Sequence, residues 1–223
     1  MRITTLALVL LLVGCGGAAP GQSDAGSTRS ADGSTYWARV NLDGGSPDGG
    51  YPDCVGQAWP LEGATHVPEP TRVTYHHNPP ASGSHWPCWA PWAIATRVLP
   101  KERFVHNLEH GGIVLLYHCD EPDGGFAPDA FADGGSPCPE EARTAAALVN
   151  GAPNDPQGAR RYVVSARPDL PTRYAAVSWG FTLERDSLDP ATFGCFVNAH
   201  LAQGPEDTSA DPPPDECPQV YPP

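Results

Sequence analysis

Lys101-Glu-Arg-Phe-Val-His-Asn-Leu-Glu-His110-Gly111-Gly112-Ile-Val-Leu-Leu-Tyr117 contains a helix, its stop and a strand without a break. Lys101 to His110 reads as a helix capped by Gly111, because glycine accepts the left-handed backbone that ends helices. Gly112 to Tyr117 is a short, continuous apolar run after a glycine pair, which suits a buried strand. Arg161 to Ser165 and Ala175 to Trp179 read as two further strands, separated by the turn from Pro168 to Pro171. Glu140 to Val149 follows Pro139, a favoured first helical residue, and contains helix formers. Leu188 to Leu201 begins with Asp189-Pro190, a cap followed by proline, and carries Phe193, Phe196, Val197 and Leu201. The expectation is an α+β class: one small domain with a mostly antiparallel sheet and a few helices, disulfide-stabilised. The order of the strands is left open.

The ends of the chain read differently. Met1 and Arg2 supply positive charge, and Ile3 to Val13 form an apolar run. That run is shorter than the roughly 20 residues a membrane-spanning helix needs and suits the core of a signal peptide. It ends in Leu12-Val13-Gly14-Cys15, a lipobox. Residues 1–14 are therefore expected to be a lipoprotein signal peptide, with Cys15 the lipidated residue. Diacylglycerol on the sulfur plus an acyl group on the new amine anchors stably, where a single chain binds only marginally. The expected location is extracytoplasmic, lipid-anchored to a bacterial membrane, in the periplasm or at the cell surface. Residues 15–50 are rich in Gly, Ser, Asp and Ala and lack apolar periodicity, so they read as a flexible linker. The globular domain is expected over 51–205 and a Pro-rich tail over 206–223.

Charge excludes one class of partner. With 26 acidic and 13 basic residues the formal charge is −13, which argues against nucleic acid and anionic surfaces. Setting Cys15 aside leaves Cys54, Cys88, Cys119, Cys138, Cys195 and Cys217, an even number in an oxidising compartment. They read as three disulfides. The expected pairs are Cys119 with Cys138, across a Gly-rich insertion; Cys54 with Cys217, across the ends of the domain; and Cys88 with Cys195. No Cys-x-x-Cys pair is present, which argues against a cysteine zinc site or a thioredoxin-like centre.

Four histidines stand beside polar, turn-forming residues: His66, His85, His106 and His110. On a helix, His106 and His110 lie four residues apart on one face, a spacing at which two imidazoles bind one ion. Glu109 between them can act as base or as an acceptor behind the ligands, and His-x-x-Glu-His is also the inverzincin motif. Asn78-Pro-Pro-Ala-Ser-Gly-Ser-His85 is a turn stiffened by proline that delivers His85 to a fixed place. Trp86, Trp89 and Trp92 either wall a pocket or pack in the core. His76, His77, His118 and His200 stand alone and read as surface or satisfied core residues.

His66-Val-Pro-Glu, Asn78-Pro-Pro-Ala-Ser-Gly-Ser-His85, Trp89-Ala-Pro-Trp92 and Val105-His-Asn-Leu-Glu-His-Gly111 together resemble the family called domain of unknown function 3105. Ser178-Trp-Gly180 and the stretch from Phe196-Val to Gly204-Pro-Glu206 extend the resemblance over His66 to Glu206. It implies a bacterial envelope domain in which His66, His85, His106, Glu109 and His110 stand at motif positions. Three functional readings follow. One is a divalent-metal site for Zn or Cu, with His85, His106 and His110 as ligands and His66 as a fourth. Another is a metal-dependent hydrolase with Glu109 as catalytic base and Glu184 as a distal ligand. The last is a non-enzymatic cell-envelope interaction module whose histidines are structural. The membrane, through the lipid, is the one partner expected.

Overall fold

The computed structural model describes residues 53–95, 98–120, 138–206 and Cys217. The segments expected to be signal peptide and linker, with Cys15, and most of the expected Pro-rich tail lie outside the described residues. Chain order is a 3-10 turn (Asp53–Val55), β1 (Gln57–Ala58), α1 (Lys101–Glu109), β2 (Ile113–Tyr117), α2 (Pro139–Gly151), β3 (Tyr162–Ala166), β4 (Tyr174–Ser178), β5 (Phe181–Arg185) and α3 (Pro190–His200). The strands form one sheet in the order β1-β5-β4-β2-β3. Only β2 and β3 run parallel, and α2 lies in the connection between them, as a parallel pair requires a crossover. The other three pairings are antiparallel, giving the expected α+β fold.

Alternation along the strands explains the layers. All five residues of β2 are buried, as in a strand covered on both faces. Ile113, Leu115 and Tyr117 join a core cluster with Leu148 of α2 and Phe193 and Phe196 of α3. Val114 and Leu116 point the other way, into a cluster with Phe104, Val105 and Leu108 of α1. So α2 and α3 cover one face, while α1 and the irregular chain between Trp59 and Ala95 cover the other.

The caps follow the sequence closely. Asp189 accepts hydrogen bonds from the Ala191 and Thr192 amides at 2.9 and 3.0 Å, with Pro190 opening α3. Gly111 has φ +74°, the left-handed value that stops α1. Trp179, expected inside a strand, lies instead in the two-residue turn between β4 and β5, where Gly180 has φ +79°.

Two of the three expected disulfide pairs are corrected. Cys119–Cys138 is present, but the others are Cys54–Cys195 and Cys88–Cys217, not Cys54–Cys217 and Cys88–Cys195. The reason is packing. The 3-10 turn lies against α3, where His200 Nε2 donates to Val55 O at 2.8 Å, so Cys54 meets Cys195. The chain leaving α3 passes α1 instead, where the Glu206 amide donates to Glu109 O at 3.1 Å. Cys217 meets Cys88 in the Trp86–Ala90 segment, which Asn107 of α1 holds at Ala90.

Candidate metal centre

Three chain segments converge at the N-terminal side of β2. A parallel bridge sets His66 beside His85: the Val67 amide donates to His85 O at 2.8 Å and the His85 amide to Thr65 O at 3.0 Å. Gly83 makes the approach to His85 possible. Its φ is +120°, and a Cβ there would stand 2.9 Å from the Tyr75 ring, whose hydroxyl donates to Ser84 O at 2.7 Å. The third segment is α1, which carries His106 and Glu109 one turn apart.

α1 is held in place by polar contacts that its sequence does not advertise. Asn107 accepts from the Ala90 amide at 2.9 Å and donates to Ala90 O at 2.8 Å, tying the Trp89–Ala90 loop to the helix. Arg103 donates to both carboxylate oxygens of Glu69 at 2.9 and 3.0 Å. Every residue from Glu102 to Glu109 is buried as a result.

The rings of His66, His85 and His106 form a triangle with centroids 4.7 to 4.9 Å apart. Glu109 closes it: its Oε2 lies 2.9 Å from His85 Nε2, 3.6 Å from His66 Nε2 and 3.9 Å from His106 Nε2. One ligand atom from each of the four residues falls within 4.8 Å of all the others. His85 is fully buried, and His106 and Glu109 are 2% exposed. His66 opens to solvent.

Proton placement gives this group its chemistry. His85 Nδ1 is 2.8 Å from Gly83 O and His106 Nδ1 is 2.7 Å from Trp86 O. A carbonyl only accepts, so both Nδ1 atoms carry hydrogen and both rings turn Nε2 inward. Histidines that bind metals are fixed in this way, the second nitrogen donating to a backbone carbonyl. Burial, then the neighbouring His85 and His110, depress the His106 pKa to about 3, so its inward lone pair is available at neutral pH. At 2.9 Å, His85 Nε2 and Glu109 Oε2 cannot both offer lone pairs to each other. A proton or a metal cation between them resolves that conflict.

His110 does not join the four. α1 ends at Glu109 and His110 is its C-cap, with φ −81° and ψ 17°. Its Nε2 lies 3.8 Å from Glu206 Oε2, and with Glu109 these residues form a second group of potential ligands. The sequence by itself assigns Glu206 no chemistry, although it closes the Gly204-Pro-Glu206 stretch of the resemblance. Trp89 packs its ring against both His106 and His110, at 5.0 and 4.7 Å between centroids. Trp86 is wholly buried and donates to Thr71 O.

The remaining candidates lie apart. Glu184 is on β5, accepting from the Thr182 hydroxyl at 3.2 Å, outside either ligand group. His76 is exposed and pairs with Glu62, whereas His77 is stacked on Trp59. His200 is buried between Phe181 and Phe196.

Residues 66–128 match the family model described as protein of unknown function (DUF3105), the family whose motifs the sequence resembles. The matched span contains all four residues of the histidine–glutamate group. No curated protein and no solved structure was found to match the chain.

Proposed function

We propose that this protein binds a divalent metal ion, Zn²⁺ or Cu²⁺, through His66, His85, His106 and Glu109. The observation that carries the reading is the pair of imidazoles whose Nδ1 hydrogens are committed to Gly83 O and Trp86 O while their Nε2 atoms face a buried carboxylate. Three imidazole nitrogens and one carboxylate oxygen suit those two ions. Glu109 serves as a ligand in this arrangement. It is not held back as a base, so the hydrolase reading has no particular observation in its favour.

Calorimetric titration of chelator-stripped protein with Zn²⁺ tests the reading. His85→Ala and His106→Ala are each expected to weaken binding by about tenfold or more, a scale taken from losses seen on disturbing the residues behind metal ligands. Glu109→Gln should weaken it as well, while exposed His76→Ala leaves it unchanged. Wild-type protein that binds no more tightly than the His85→Ala/His106→Ala double variant would overturn the proposal.

We place this function outside the cytoplasm on the strength of the lipobox at Cys15. Cys15→Ala is expected to move the protein from the membrane to the soluble fraction or to leave its precursor uncleaved. A processed variant still found in the membrane would remove that part of the reading.

A further inference from the structure

We infer that the site takes two divalent cations, with the Glu109 carboxylate bridging them and His110 and Glu206 holding the second. This inference rests on the metal-binding reading above and extends it. Glu109 is the one residue common to both ligand groups: it stands with His66, His85 and His106 in one and with His110 and Glu206 in the other. A carboxylate has two oxygens, and two-metal sites hold their ions about 3.5–4 Å apart, a span one carboxylate bridges. The His106 and His110 rings, one from each group, lie 4.6 Å apart between centroids, so the two groups are immediate neighbours.

The fold brings Glu206 to this place by a close backbone approach. A Cβ on Gly204 would stand 2.1 Å from Glu109 O and 2.2 Å from Gly111 N, so only glycine lets the chain pass over the end of α1. Gly111 faces the same crossing, where a Cβ would stand 2.8 Å from Ala202 Cα. The Ala202 amide donates to Gly111 O at 2.8 Å and the Glu206 amide to Glu109 O at 3.1 Å, which fixes the segment on both sides of Gly204. Glu206 is half exposed and His110 buried, so solvent reaches the second group through Glu206 as it reaches the first through His66. Glu109 and Glu206 also supply the negative charge that a pair of dications needs, which neutral imidazoles do not.

Equilibrium dialysis of the chelator-stripped full chain against Zn²⁺ counts the ions. Wild type is expected to hold two per chain, and Glu206→Gln one, with the affinity of the remaining ion changed by less than about threefold. Titration with Cu²⁺ followed by electron paramagnetic resonance locates the second ion. A bridged pair couples, so the signal of the first equivalent should broaden or lose intensity when the second is added. Two uncoupled, additive signals, or a second ion retained by Glu206→Gln, would overturn the inference. One ion per chain in wild type would overturn it and leave the mononuclear reading standing; no ion at all would sink both.

Discussion

Arg161→Met is expected to cost about 3–5 kcal/mol of folding stability, the range for breaking a buried ion pair by removing one partner. Arg161 Nε donates to Asp155 Oδ2 at 2.6 Å, and both side chains are almost wholly shielded from water, at 1% and 0% exposure. Asp155 Oδ1 is already taken by the Gln157 and Ala159 amides, at 2.9 and 2.7 Å. Loss of the guanidinium therefore leaves a carboxylate that is half satisfied, buried and without a counter-charge. The damage reaches the candidate metal site, because Arg161 Nη1 also donates to His110 O at 2.8 Å and the Ile113 amide donates to Arg161 O. The start of β3 thus holds the turn between α1 and β2. Denaturant unfolding with the disulfides intact measures the cost. Asp155→Asn added to Arg161→Met should recover part of the loss, since the stranded charge is gone while the amide oxygen still accepts from the loop. A single variant losing under about 1 kcal/mol would mean the pair is solvated in a way its burial denies.

The same two segments show how far the sequence could be read. Lys101 to Tyr117 announced itself because local signals agree: helical periodicity, a glycine that tolerates positive φ, then an apolar run. Asp189-Pro190 announced α3 for a similar reason, since capping depends on neighbours within a few residues. What depends on distant residues was not legible. β5 escaped notice because Phe181-Thr-Leu-Glu-Arg185 is buried only over its first three residues and ends in charge. β1 has two residues and exists by pairing with β5. Two of the three disulfide pairs differ from the expectation because connectivity depends on which elements pack together in space, and nothing in cysteine spacing records that. At the site, the sequence points to His66, His85 and His106, yet makes His110 their companion at helical spacing. That spacing holds only while the helix lasts. α1 stops at Glu109, and the cap turns His110 toward Glu206.

Metal-free protein should lose stability as pH falls from about 6.5 toward 4, and His200 should account for about 3 kcal/mol of that loss. Burial depresses its pKa to about 4, only partly offset by its hydrogen bond to Val55 O. The ring is 1% exposed, packed against Phe181 and Phe196, with Nε2 donating to Val55 O at 2.8 Å. Folding therefore favours the neutral ring. Between the two pKa values the unfolded chain binds the proton that the folded one refuses, so stability rises with pH across that window. The contribution is complete above about 6.5 and gone below about 4. Each unit of difference is worth about 1.4 kcal/mol, which sets the figure. His106 and His110 are shifted the same way, so wild type alone cannot apportion the slope. His200→Gln can, because glutamine still offers an N–H to Val55 O and cannot take up the proton. Urea unfolding of chelator-stripped wild type and variant at pH 7, 5.5 and 4.5 gives the comparison. The difference between them should shrink, or reverse in the variant's favour, as the pH is lowered. Parallel curves would show that His200 does not titrate on unfolding, and the acid sensitivity would then belong to His106 and His110.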